Sequence, residues 1–129
     1  MGKQERYRSG GGGVNKETRF AVYNKCGGHC AYCGKLIEFK DMQVDHIMPQ
    51  HMCIGIHIHK LTDVNNLNPS CRRCNHYKRG DSLDAFRRLI KTLHERIRKD
   101  YICKVAEDYG IITVKEWDGK FHFERVCEK

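Results

Sequence analysis

The sequence predicts an α+β domain organised around cysteines, and three observations carry that reading. Two Cys-x-x-Cys knuckles, Cys30–Cys33 and Cys71–Cys74, enclose short strand-like runs. Leu83, Phe86, Leu89, Ile90, Leu93 and Ile97 recur at helical spacing, which predicts a long amphipathic helix from about Leu83 to Asp100 with Ser82 as its cap. Asp118-Gly119 stands between two further runs, Ile111 to Trp117 and Lys120 to Val126, and signals a C-terminal β-hairpin.

The other elements follow in chain order. Residues 1–15 are polar and glycine-rich, too poor in apolar surface to offset the entropy of ordering, and read as a flexible tail ahead of one domain over 16–129. A short helix is expected over Lys16 to Lys25, capped by Asn15, with Phe20 and Tyr23 on one side. Gln43 to His46 reads as a strand and Leu67 to Ser70 as a second, with a helix starting near Cys74. Between the strands, Ile54, Ile56 and Ile58 alternate with Gly55, His57 and His59, a period of two that suggests a small extended ribbon. A shorter helix is expected from Tyr101 to Tyr109, ending at Gly110.

A chain of 129 residues builds only a modest core, so a metal clip would matter to it. The net charge of +8 and a pI near 9.1 favour an anionic partner such as nucleic acid. Eight cysteines could mean a secreted disulfide scaffold, yet the start Met1-Gly2-Lys3-Gln4-Glu5-Arg6 is polar and no apolar run reaches membrane-spanning length. A reducing cytoplasm, in a bacterial or phage-encoded setting, is the expected compartment. Cys30, Cys33, Cys71 and Cys74 suit tetrahedral thiolate binding of a structural Zn²⁺, a closed site with no open position for water. Cys26, Cys53, Cys103 and Cys127 lack that spacing and are expected to be buried thiols.

Between the knuckles lie the residues with chemistry. The order is Cys30-Ala31-Tyr32-Cys33-Gly34, then Val44-Asp45-His46-Ile47-Met48-Pro49, then Asn66-Leu67-Asn68-Pro69-Ser70-Cys71-Arg72-Arg73-Cys74-Asn75-His76-Tyr77-Lys78. Over this core of residues 30–78 the chain resembles the HNH endonuclease family, whose centre is a ββα-metal finger.

The resemblance implies metal-dependent hydrolysis of DNA phosphodiester bonds, leaving a 3′-hydroxyl and a 5′-phosphate. It makes His46 the general base, a task suited to a neutral imidazole. It assigns Asp45, facing the other way on the strand, and Asn75 to a catalytic divalent cation; two oxygen ligands favour Mg²⁺ or Mn²⁺. Many members have His where Asn75 stands, and His76 is one place later. Asn75 is preferred because it directly follows Cys74. Asn66 is expected to hold the loop that orients His46.

Phosphate contacts are expected from Arg72, Arg73, Lys78 and Arg79 near the finger, and from Arg87 and Lys91 on the long helix. Such contacts carry no sequence information, so specificity is expected from a homodimer, a partner protein or a distorted site in the DNA. RNA stays open as a substrate. Trp117, Phe121 and Phe123 are expected to pack against the finger. The rival reading is a non-catalytic zinc-containing module that binds nucleic acid, which would need the four cysteines and the charge but not Asp45, His46 and Asn75 together.

Overall fold

The computed structural model describes residues 14–126, so most of the expected glycine-rich tail, and Cys127, lie outside the described residues. Helices α1 (Lys16–Lys25), α2 (Arg72–Lys78), α3 (Leu83–Lys91), α4 (Leu93–Lys99), α5 (Tyr101–Asp108) and α6 (His122–Val126) accompany strands β1 (Gln43–His46) and β2 (Leu67–Ser70). This mixture of helices with a small antiparallel sheet is the α+β class expected. The chain divides into two compact units, residues 83–120 and the remainder. None of the described helices is long and apolar enough to cross a membrane.

In the larger unit, α1 begins where Asn15 Oδ1 accepts the Thr18 amide at 2.8 Å, satisfying one of the donors that a helix start leaves open. It buries Val22 against Met42, Val44 and Leu67, with Val14, Tyr23, Ile37 and Phe39 packed around them. Strands β1 and β2 pair antiparallel, Asp45 opposite Asn68 and His46 opposite Leu67. Helix α2 follows β2 directly, its first turn capped by Cys71, whose Sγ accepts the Cys74 amide.

A second apolar nucleus sits on the first knuckle. Tyr32 meets the rings of Phe121 and Phe123 edge-on at 5.3 and 6.0 Å. The backbone joins there as well: His122 N donates to Tyr32 O and Phe123 N to Ala31 O. Gly34, at φ +85°, lies so close to His122 that a Cβ would come within 2.9 Å of its ring. Only glycine fits there without moving the imidazole.

Three expectations from the sequence are corrected. The hairpin is absent: Asp118-Gly119 does turn the chain, Asp118 Oδ1 accepting the Lys120 amide, but no ladder forms over 111–121, and residues 122–126 are helical. Burial of Phe121 and Phe123 beside Tyr32 outweighs local strand propensity. Trp117 belongs to the smaller unit and is half-buried.

The long helix is interrupted at Thr92, whose hydroxyl and amide both reach back to Leu89 O, at 2.7 and 3.1 Å. That local bond competes with the helical ladder. Finally, Gly55–Leu61 is a 3-10 helix and not a ribbon. An isolated ribbon has no partner for its backbone groups, and Gly55 at φ +58° turns the chain out of extension.

Candidate active site and metal centre

The knuckles converge. The Sγ atoms of Cys30, Cys33, Cys71 and Cys74 all lie within 4.8 Å of one another, Cys33 and Cys71 at 3.9 Å. A tetrahedron with Zn–S bonds of about 2.3 Å has edges of about 3.8 Å, so the four thiols fit zinc with small adjustment. Amides already point at the sulfurs: Tyr32 N and Cys71 N donate to Cys30 Sγ, and Cys74 N to Cys71 Sγ. The hydrogen bonds among the thiols pull Cys33 down and push Cys74 up, so the cluster shares its protons unevenly between the two knuckles. The described cysteines form no disulfides; Cys26 and Cys53 are buried as expected, Cys103 only half so.

Beside this centre, a cleft of about 280 Å³ is lined by Val44, Asp45, His46, Asn75, Lys78 and Arg79, with Pro49, Gln50 and Gly80 completing it. Strand alternation sends Asp45 and His46 to opposite faces of β1. His46 Nε2 lies 2.9 Å from Leu61 O. A carbonyl only accepts, so Nε2 carries the hydrogen and the neutral ring keeps its lone pair on Nδ1.

Asn66 fixes the chain on either side of that contact. Its Oδ1 accepts the Met48 amide at 2.7 Å, and its Nδ2 donates to Lys60 O at 3.0 Å and Met48 O at 3.3 Å. The residues after His46 are thereby tied to the residue before Leu61, through a side chain only 7% exposed.

Asp45 is held on the other face. Its carboxylate accepts from the Tyr32 hydroxyl and bridges to Lys78 Nζ at 3.0 Å, with all three side chains buried. Burial pushes the Asp45 carboxyl up from its ordinary range, against the pull of Lys78 and Tyr32, and pushes Tyr32 well above its own. Asn68, opposite Asp45, donates to the Tyr32 hydroxyl and accepts from Lys25 Nζ.

An ionised carboxylate has roughly four acceptor sites; the Tyr32 hydroxyl and Lys78 Nζ each take one by hydrogen bond, so acceptor capacity remains. Asn75, half-buried on the same cleft, offers an amide oxygen. A carboxylate oxygen and an amide oxygen on one cleft are donors that suit a hard divalent cation.

Lys78, expected to contact a phosphate or the developing charge near the cut, lines the cleft but is engaged by protein groups. It is 1% exposed, and Nζ also donates to Asp81 O and His46 O. Arg72, Arg73 and Arg79 are exposed, as phosphate contacts require. In the smaller unit, Arg87 donates to Gly119 O at 2.6 Å while Lys91 is exposed. Tyr32, Asn68 and Lys25 were missed from the sequence. The one signal for Tyr32 was an aromatic residue inside a knuckle, and for Asn68 a polar residue in an otherwise buried strand.

Four clustered thiols that could hold a metal ion thus lie beside a cleft lined by a histidine, a carboxylate and an amide. Residues 30–91 match the family model described as HNH endonuclease, the family that the sequence resembles. No curated protein matches the chain. Among solved structures, the chain is similar to part of the crystal structure of the Type II-C Cas9 enzyme from Actinomyces naeslundii, at 25% identity and a TM-score of 0.45. That similarity covers 74% of this chain and 10% of the other.

Proposed function

We propose that the chain is a metal-dependent DNA endonuclease in which β1, β2 and α2 form a ββα-metal finger clipped by a Cys₄ zinc site. The observation that carries this reading is His46, with Nε2 tied to Leu61 O, in one cleft with Asp45 and Asn75. His46 Nδ1 takes the proton of the attacking water; Asn66 keeps the ring aimed by holding the Leu61 loop. Asp45 and Asn75 would hold Mg²⁺ or Mn²⁺, which would supply positive charge to the phosphate and to the leaving oxygen. Lys78 and Tyr32 hold the Asp45 carboxylate in position. Arg72, Arg73 and Arg79 bind neighbouring phosphates and position the strand, with Lys91 extending the charged surface of the smaller unit.

A cation site separate from zinc distinguishes this enzyme from a zinc module that only binds nucleic acid. Titration of zinc-loaded protein with Mn²⁺, followed by electron paramagnetic resonance, is expected to reveal one further site. Asn75→Ala should weaken that site by about tenfold or more while the zinc content stays the same. Wild-type protein that takes up no Mn²⁺ beyond its zinc would favour the binding module.

A further inference from the structure

Between residues 52 and 58 four large apolar side chains stand in solvent: Met52 is 48% exposed, Ile54 66%, Ile56 85% and Ile58 56%. The 3-10 geometry is the cause. With three residues per turn, an alternating pattern cannot gather on one face, so Ile56 stacks in a column with His59 while Ile58 stacks with Leu61. The segment therefore presents separate apolar points, with Ile56 the most prominent, and not a groove.

Two features say what meets it. From Ile47 to Thr62 there is no acidic residue, whereas His51, His57, His59 and Lys60 lie among the isoleucines. The segment is also continuous with the cleft: Pro49 and Gln50 line it, and Leu61 O holds the His46 ring. A polyanion that offers apolar surface between its charges fits this mixture, and duplex DNA is one, with phosphates outside and stacked bases within. Apolar side chains that enter a base step from the minor groove unstack and kink it.

We propose that Ile54, Ile56 and Ile58 form a DNA wedge, with His59 and Lys60 on the adjoining phosphates, that opens a base step next to the scissile bond. This deepens the nuclease reading and rests on it. The wedge is a positioning device: its end at Leu61 is the group that orients His46, so seating the isoleucines aligns the base. Pyrimidine–purine steps unstack most readily, so cuts should cluster beside TA and CA steps and at mismatches.

The test uses zinc-loaded His46→Ala protein, which binds without cutting, and a duplex carrying 2-aminopurine at a central TA step. Binding should raise the fluorescence as the step opens. Adding Ile54→Ser, Ile56→Ser and Ile58→Ser should abolish the rise and weaken binding about tenfold, the scale of one partly buried isoleucine. These side chains are exposed, so an unchanged melting curve is expected to accompany the loss.

Unchanged fluorescence and affinity in the triple variant would overturn the wedge. So would a change confined to oligomeric state, which would make the patch a protein interface. Cleavage by His46-containing protein is read separately. If it cuts while the isoleucines prove irrelevant, the nuclease reading survives the wedge. If it fails to cut while unstacking follows the isoleucines, the wedge survives and the nuclease reading does not.

Discussion

Removing the zinc proposed for the four thiols is expected to unfold the larger unit. Its main apolar cluster has only four fully buried members, Val22, Met42, Val44 and Leu67. The knuckles bring together residues 38 apart in sequence, Cys33 and Cys71, and so close the segment that carries Asp45, His46 and Asn66. Structural zinc sites of this type are worth about 10–16 kcal/mol in apparent terms, comparable to or larger than the net stability of a small domain. Chelator treatment or Cys71→Ser should therefore abolish the cooperative melt seen by circular dichroism. A melt that persists after metal analysis shows the zinc gone would contradict a structural role for the four thiols.

Replacing Lys78 by methionine is expected to cost about 3–5 kcal/mol. Removing one member of a buried ion pair leaves the other charge without compensation, and that penalty exceeds the worth of the pair itself. Lys78 also supplies hydrogen bonds to His46 O and Asp81 O, so the variant loses donors at the end of β1 and beyond α2 together. Methionine keeps most of the side chain's volume, which isolates the charge from simple cavity formation. Urea denaturation of zinc-loaded protein measures the difference. A variant as stable as wild type would show that Asp45 does not depend on Lys78.

Much of this was legible because it is written locally. The Asn15 cap, the Gln43–His46 and Leu67–Ser70 runs and the two knuckles each depend on residues within a few positions, and each appears at the expected place. The long helix was legible in its apolar spacing, but its interruption turns on one hydroxyl at Thr92 reaching Leu89 O.

The end of the chain was not legible. Phe121 and Phe123 are governed by Tyr32, about ninety residues earlier, and tertiary burial of that kind overrides a turn signal. The site divides in the same way. Asp45, His46, Asn66 and Asn75 stand out by their order along the chain. The hydrogen-bonded set of Tyr32, Asp45, Lys78 and Asn68 joins positions 13 and 33 residues from Asp45, and no spacing rule links them. Lys78 in particular read as a contact to phosphate or to developing charge, whereas only the fold reveals the buried carboxylate it pairs with.

The central claim is that His46, tied to the Leu61 carbonyl through Nε2, acts as a base toward a phosphodiester. The most direct measurement is cleavage of supercoiled plasmid by zinc-loaded wild type and His46→Ala, each in Mg²⁺ and in Mn²⁺. Wild type is expected to nick or linearise the plasmid. His46→Ala should cut about 10²–10⁴-fold more slowly, the usual contribution of a positioned base, with its melting curve and DNA affinity unchanged. Cleavage by His46→Ala at the wild-type rate would contradict the account.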